Sequence, residues 1–159
     1  MSPDRRLSTG WWVAASTVAT LAALAALAPV VGGTVGAGMH HLFSAVCHQI
    51  PERSPHLAGG PVALCHRCSG VLLGLLVGLL ATPALTARAW RAIGAGRQGL
   101  WLVASAVPTA LDWALGAAGV WANTGASRLL TGAVFGVAAG VILAANLLHP
   151  SHSPTLADA

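Results

Sequence analysis

Four stretches of about twenty residues each, almost without charge, constrain this chain more than anything else in it. They occupy residues 11–31, 63–82, 100–120 and 129–148. At about 1.5 Å of rise per residue, a helix of that length crosses the roughly 30 Å hydrocarbon core of a bilayer. A helix also satisfies its own backbone hydrogen bonds, which lipid cannot do. The expected fold is therefore all-α: an integral membrane four-helix bundle forming one domain over 11–148, with the lipid bilayer as its partner. Composition agrees, because only 8% of the 159 residues are charged, against about 25% in an ordinary soluble domain.

The formal net charge of +4 rests on eight arginines, lysine being absent. These arginines are scattered and lack an aromatic binding face, which argues against a nucleic-acid partner. They read better as topology signals. Four spans place both termini and the connection 86–99 on one side, with Arg5, Arg6, Arg88, Arg91 and Arg97. The other side holds Arg53, Arg67 and Arg128. The positive-inside rule then makes the N-terminal segment 1–10 cytoplasmic and puts the loop between the first two spans outside the cell membrane.

The first span has a rival reading as a cleaved signal peptide, since Arg5 and Arg6 precede an apolar run containing Ala26-Leu27-Ala28. That run is longer than a signal-peptide core, and Pro29 would follow the cut, so a retained span is the better reading. Gly32, Gly33, Gly36 and Gly38 are expected to break the helix, and residues 39–46 to form a short interfacial helix. His40 and His41 there read as headgroup-level residues, with metal ligation as the alternative. In the later spans, Gly70, Gly74 and Gly78, and then Gly132, Gly136 and Gly140, recur every fourth residue. Small residues at that spacing let helix backbones approach closely, within the chain or in a homo-oligomer. The tail 149–159, with His149 and His152, reads as disordered.

Chemistry is concentrated in residues 47–70, CHQIPERSPHLAGGPVALCHRCSG, which hold all three cysteines. Cys65 and Cys68 are three apart, so on a helix they share a face with Cβ atoms about 5–6 Å apart. With Cys47 and His48 they make a Cys3His set of the kind tetrahedral zinc accepts, and His66 or His56 is the alternative fourth ligand. Other transition metals, copper or iron among them, suit the same donors. A second reading is a membrane thiol–disulfide oxidoreductase passing electrons to quinone, because a Cys-x-x-Cys at a helix N-terminus has a lowered thiol pKa. A third is a structural Cys65–Cys68 disulfide, natural outside the cell. Whether the chain is an enzyme stays open. No Ser/His/Asp arrangement, phosphate-binding loop or dinucleotide fingerprint is present.

Asp112 lies in the third span, where a carboxylate is functional or paired by default. Counting back from Trp121 puts it about 13 Å below the outer interface. Its expected partner is Arg67 or Arg128, with metal ligation or proton acceptance as the alternative. Glu52 and Arg53 are expected to hold the loop, with an acid role for Glu52 as the alternative. Gln49 and Ser54 are expected to satisfy loop backbone groups.

Cys47-His48-Gln49, then Pro51-Glu52-Arg53-Ser54, then Cys65-x-x-Cys68-x-Gly70 running into a glycine-rich span resembles the domain-of-unknown-function 2085 family of small prokaryotic membrane proteins. Asp112, the Asn123 turn and Arg128-x-x-Thr131-Gly132 extend the likeness, while Trp113 stands where glycine is expected. The resemblance implies a membrane location and a shared site, and names no reaction.

Overall fold

The computed structural model describes residues 8–84 and 97–148. Arg5 and Arg6, the connection bearing Arg88, Trp90 and Arg91, and the tail with His149 and His152 lie outside the described residues. Among the described residues five α-helices carry the fold: α1 (Thr9–Val31), α2 (Gly33–Phe43), α3 (His66–Ala81), α4 (Gln98–Ala117) and α5 (Gly125–Leu148). Four of them, all but α2, are long and apolar enough to cross a membrane. The chain is an all-α membrane bundle with a short Cys/His-rich loop between its first two spans. That loop also contains a two-stranded antiparallel ladder, β1 (His56–Leu57) and β2 (Gly60–Pro61). Ala58 and Gly59 between the strands both have positive φ, as a type I′ hairpin turn requires.

Helices α3 and α5 are the central pair, α1 packs on α3, and α4 packs on α5. The central seam follows from the glycine stripes. A Cβ added to Gly70, Gly74 or Gly78 would collide with the backbone carbonyl of Leu129, Ala133 or Val137. From the other side, one on Gly132, Gly136 or Gly140 would collide with the carbonyl of Arg67, Val71 or Leu75. The two stripes therefore face each other and are used up within one chain. The sequence left the partner of each stripe open, within the chain or in a second copy; among the described residues each stripe packs on the other.

Polar ties reinforce the apolar contacts. The Trp11 indole N–H donates to the Leu79 carbonyl at 3.0 Å in the buried interior. The Ser8 hydroxyl caps α1 and donates to the Leu147 carbonyl at 2.9 Å. Thr109 donates to the Thr131 carbonyl at 2.9 Å, joining α4 to α5. Each satisfies a polar group that lipid would leave bare.

Several boundaries differ from the sequence expectation, for local reasons. Only Gly32 and Gly33 interrupt the helix, with φ of 61° and 56°. Gly36 and Gly38 continue as helix in α2, where Gly36 lets the Ala28 carbonyl come close. Helix α3 starts at His66 and not at residue 63, because the strand-like segment before it spends its amides elsewhere. Val62 N–H donates to Pro55 and Ala63 N–H to Ala25 of α1, at 2.8 and 3.1 Å. Pro108 sits inside α4 without ending it. The third span stops at Ala117, so Asp112 lies five residues from the helix end, about 7.5 Å by helical rise and nearer the interface than the 13 Å count.

Candidate functional site

At the end of the bundle where α1 ends and α3 and α5 begin, the loop 44–65 folds down onto the helices. Phe43, Cys47, Val62, Ala63 and Leu64 are buried against Ala25 and Ala28 of α1. Gln49, with φ of 50°, turns the chain sharply just after Cys47-His48. Its side-chain amide donates to the His40 and Ala63 carbonyls at 2.6 and 2.9 Å, tying α2 to the segment before α3. Ser54 is buried and donates to the Ile50 carbonyl at 3.0 Å. Both residues serve loop backbone groups, as their residue types suggest.

This folding brings Cys47, 18 residues away in sequence, against the start of α3. Cys65 is the N-cap of α3 and Cys68 lies in its first turn. The sulfurs of Cys47, Cys65 and Cys68 all lie within 4.8 Å of one another, and all three cysteines are free thiols. The Cys65 backbone N–H donates to Cys47 Sγ at 3.2 Å. Cys65 itself is held well below the usual thiol range, at about 5. The Cys68 thiol donating to it is the largest cause, opposed by burial and aided by the backbone N–H of Cys68.

The histidines are placed differently from the sulfurs. His66 Nδ1 is 2.7 Å from the Arg53 carbonyl, and the ring packs on Gly125 at the start of α5. His56 Nδ1 is 3.1 Å from the Ser54 carbonyl. Among the described residues the close metal-type group contains the three cysteines and no histidine. His48 is exposed, but it lines the same cavity as the three cysteines. That cavity is about 380 Å³ and is also lined by Arg53, Arg67, Trp113 and Arg128.

Asp112 is paired with Arg67 and not with Arg128. The Arg67 Nη2 to Asp112 Oδ2 distance is 2.5 Å, and Asp112 is the buried residue of α4. Asn123 completes the junction: its amide N–H reaches both the Asp112 carbonyl and carboxylate, and its Oδ1 accepts from Arg128 at 3.3 Å. Thr131 donates to the Ser127 carbonyl at 2.9 Å, closing the first turns of α5. Glu52 is exposed in a 3-10 turn, Pro51–Arg53, and lines neither this cavity nor a smaller one of about 180 Å³ that shares its arginines. Two contributors were not legible as such. Trp113 read only as an odd residue after the aspartate, and Asn123 as a turn former. Their roles come from the meeting of α4 with the α4–α5 connection.

A membrane-spanning helical bundle with a thiol cluster and an arginine-lined cavity at one end defines the class of this protein. The chain belongs to the family described as predicted membrane protein (DUF2085), which matches residues 47–142. The match begins at Cys47 and ends at Ile142, so it covers the site, the second and third spans and most of α5, and leaves out α1 and α2. The uncharacterized protein MJ1492 of Methanocaldococcus jannaschii is 40% identical over 45 residues, covering 28% of this chain and 29% of that protein. The matched segment thus spans less than a third of that relative. No solved structure matches the chain.

Proposed function

We propose that this is a membrane metal-binding protein in which Cys47, Cys65 and Cys68 hold a soft transition metal of the zinc type. The carrying observation is the convergence of three sulfurs within 4.8 Å. Tetrahedral zinc with bonds of about 2.3 Å holds its thiolates about 3.8 Å apart, so only small side-chain adjustments are needed. The N–H donated by Cys65 to the Cys47 sulfur is the kind of outer contact that orients and stabilises a ligating thiolate. Three thiolates leave a fourth position toward the cavity. His48, which lines it, is the protein donor best placed to fill that position, whereas His66 and His56 are engaged with backbone carbonyls.

The cysteine end faces the extracytoplasmic side on this reading. Of its three arginines, Arg67 is neutralised by Asp112, and Arg53 and Arg128 line the cavity. Their retention there is a matter of structure, and the remaining arginines follow the positive-inside rule. A cysteine introduced at exposed Glu52 should react with an impermeant maleimide in intact cells, and one at Arg97 should not. The opposite pattern would invert the topology.

A thiol–disulfide reading draws on the same pair at the start of α3. Oxidation of Cys65 and Cys68 to a disulfide would release two protons and two electrons, and a quinone taking up both would become the hydroquinone. One experiment separates the readings: elemental analysis and thiol counting on protein purified without chelator. The metal reading expects about one ion per chain, lost on Cys47→Ser, Cys65→Ser or Cys68→Ser, and thiols that alkylate only after chelation. Metal-free protein carrying a Cys65–Cys68 disulfide would sink it. Quinone reduction abolished by either serine variant would then establish the second.

A further inference from the structure

Three guanidinium groups, from Arg53, Arg67 and Arg128, line both the cysteine cavity and a smaller neighbour of about 180 Å³. Trp113 is shared as well, and the smaller cavity is completed by Gly116, Ala117 and Asn123. Among the described residues no carboxylate lines either space, and the nearby Asp112 is engaged with Arg67. Two positive charges are therefore left over in a concave site at the edge of the bilayer. Gathering like charges in a partly desolvated place is costly unless an anion joins them.

Existing partners use little of this donor capacity. A guanidinium has five N–H donors. Arg128 has one long hydrogen bond, to Asn123 at 3.3 Å. Arg53 makes no side-chain hydrogen bond or ion pair among the described residues. Arg67 Nε is buried without any partner, although its Nη2 is bound to Asp112. A buried donor without a partner calls for an explanation, and this one belongs to a side chain that lines both cavities.

We infer that the arginine cavity is an oxyanion site that binds a phosphate group through Arg53, Arg67 and Arg128. Arginine forks match the planar pairs of oxygens that phosphate presents. A space of about 180 Å³ is large enough to admit a phosphate group. The starts of α3 and α5 meet at this end, with His66 packed on Gly125, so both helix dipoles add positive potential. The phosphate is either free in solution or carried by a lipid headgroup. The inference does not depend on whether the thiols hold metal.

Calorimetric titration of the full-length, delipidated protein in neutral detergent tests it. One arm adds inorganic phosphate at constant ionic strength, and the other adds short-chain phosphatidylglycerol. Wild type should bind at least one of the two, and Arg53→Gln and Arg128→Gln should each weaken binding by about tenfold. Binding of phosphate assigns a free anion, while binding of the lipid alone assigns a headgroup. Arg53→Gln alters an exposed side chain, so it remains informative if Arg128→Gln does not fold. A cysteine-to-serine triple variant that still folds should retain the binding, separating this site from the thiols. No binding in either arm, or binding unchanged in the arginine variants, overturns the inference.

Discussion

The α3–α5 seam and the attachment of α4 hold the same bundle together by opposite means. Along the seam, glycines leave room for backbone to rest on backbone, and the contact runs from Leu129 to Val141 of α5. Helix α4 buries little: along its length only Asp112 is buried, while Leu100, Trp101, Val103, Val107, Leu111, Trp113 and Leu115 stay exposed. Its place is set by a few polar ties, Thr109 to Thr131, Asp112 to Arg67, and Asn123 bridging to Asp112. In a membrane, lipid matches apolar side chains as well as a neighbouring helix does, so close packing and polar bonds must supply the specificity. The seam uses the first and α4 the second. The consequence is functional, because the ties that hold α4 also place Trp113 and Asp112 at the site.

This contrast can be broken at its polar end first. Asp112→Asn leaves Arg67 charged in a largely buried position without its counterion, and should cost about 3 kcal/mol. Arg67→Gln added to it should recover part of the loss in thermal or denaturant unfolding in detergent. Simple additivity of the two would show that the pair is not coupled.

Gly136→Leu attacks the seam. The new side chain meets the Val71 carbonyl and the Leu75 amide, which are backbone and cannot rotate away. Overpacking of this kind costs about 1–3 kcal/mol, here expected near the top of the range. Unchanged stability would mean that the seam is not a tight contact.

Thr109→Val keeps the shape and removes the donor to Thr131. A loss of about 0.6 kcal/mol is expected, typical of an interhelical hydrogen bond in a membrane. The effect should show more clearly as increased reactivity of a probe on α4 than in global unfolding. If α4 stays equally protected, its position is owed to its other ties, Asp112 to Arg67 and Asn146 to Gln98.

Smallest should be Gly99→Ala. Gly99 is helical in α4, and nothing lies within 4 Å of where its Cβ would be. Removing a glycine from the first turn of a helix should be neutral or stabilising by a few tenths of a kcal/mol, below the ~0.5–1 kcal/mol of a helix middle. Strong destabilisation there would reveal that α4 is packed as tightly as the seam, and the contrast between the two regions would fail.

The spans and the glycine faces were readable in one dimension because a bilayer imposes a long, charge-free repeat, and helix geometry repeats small residues every fourth position. Even the gathering of chemistry into 47–70 is a fact of composition. Which arginine meets Asp112, by contrast, depends on how α3, α4 and α5 pack, since Arg67 and Asp112 are 45 residues apart. Likewise, Cys47 reaches Cys65 and Cys68 only because the loop buries Val62, Ala63 and Leu64 on α1. His66 turns to Arg53 and Gly125 although it sits between two cysteines in sequence. Residue type and period are local properties of the chain. Partner choice is settled by the competition of all side chains for a small buried volume, and that competition exists only once the helices have packed.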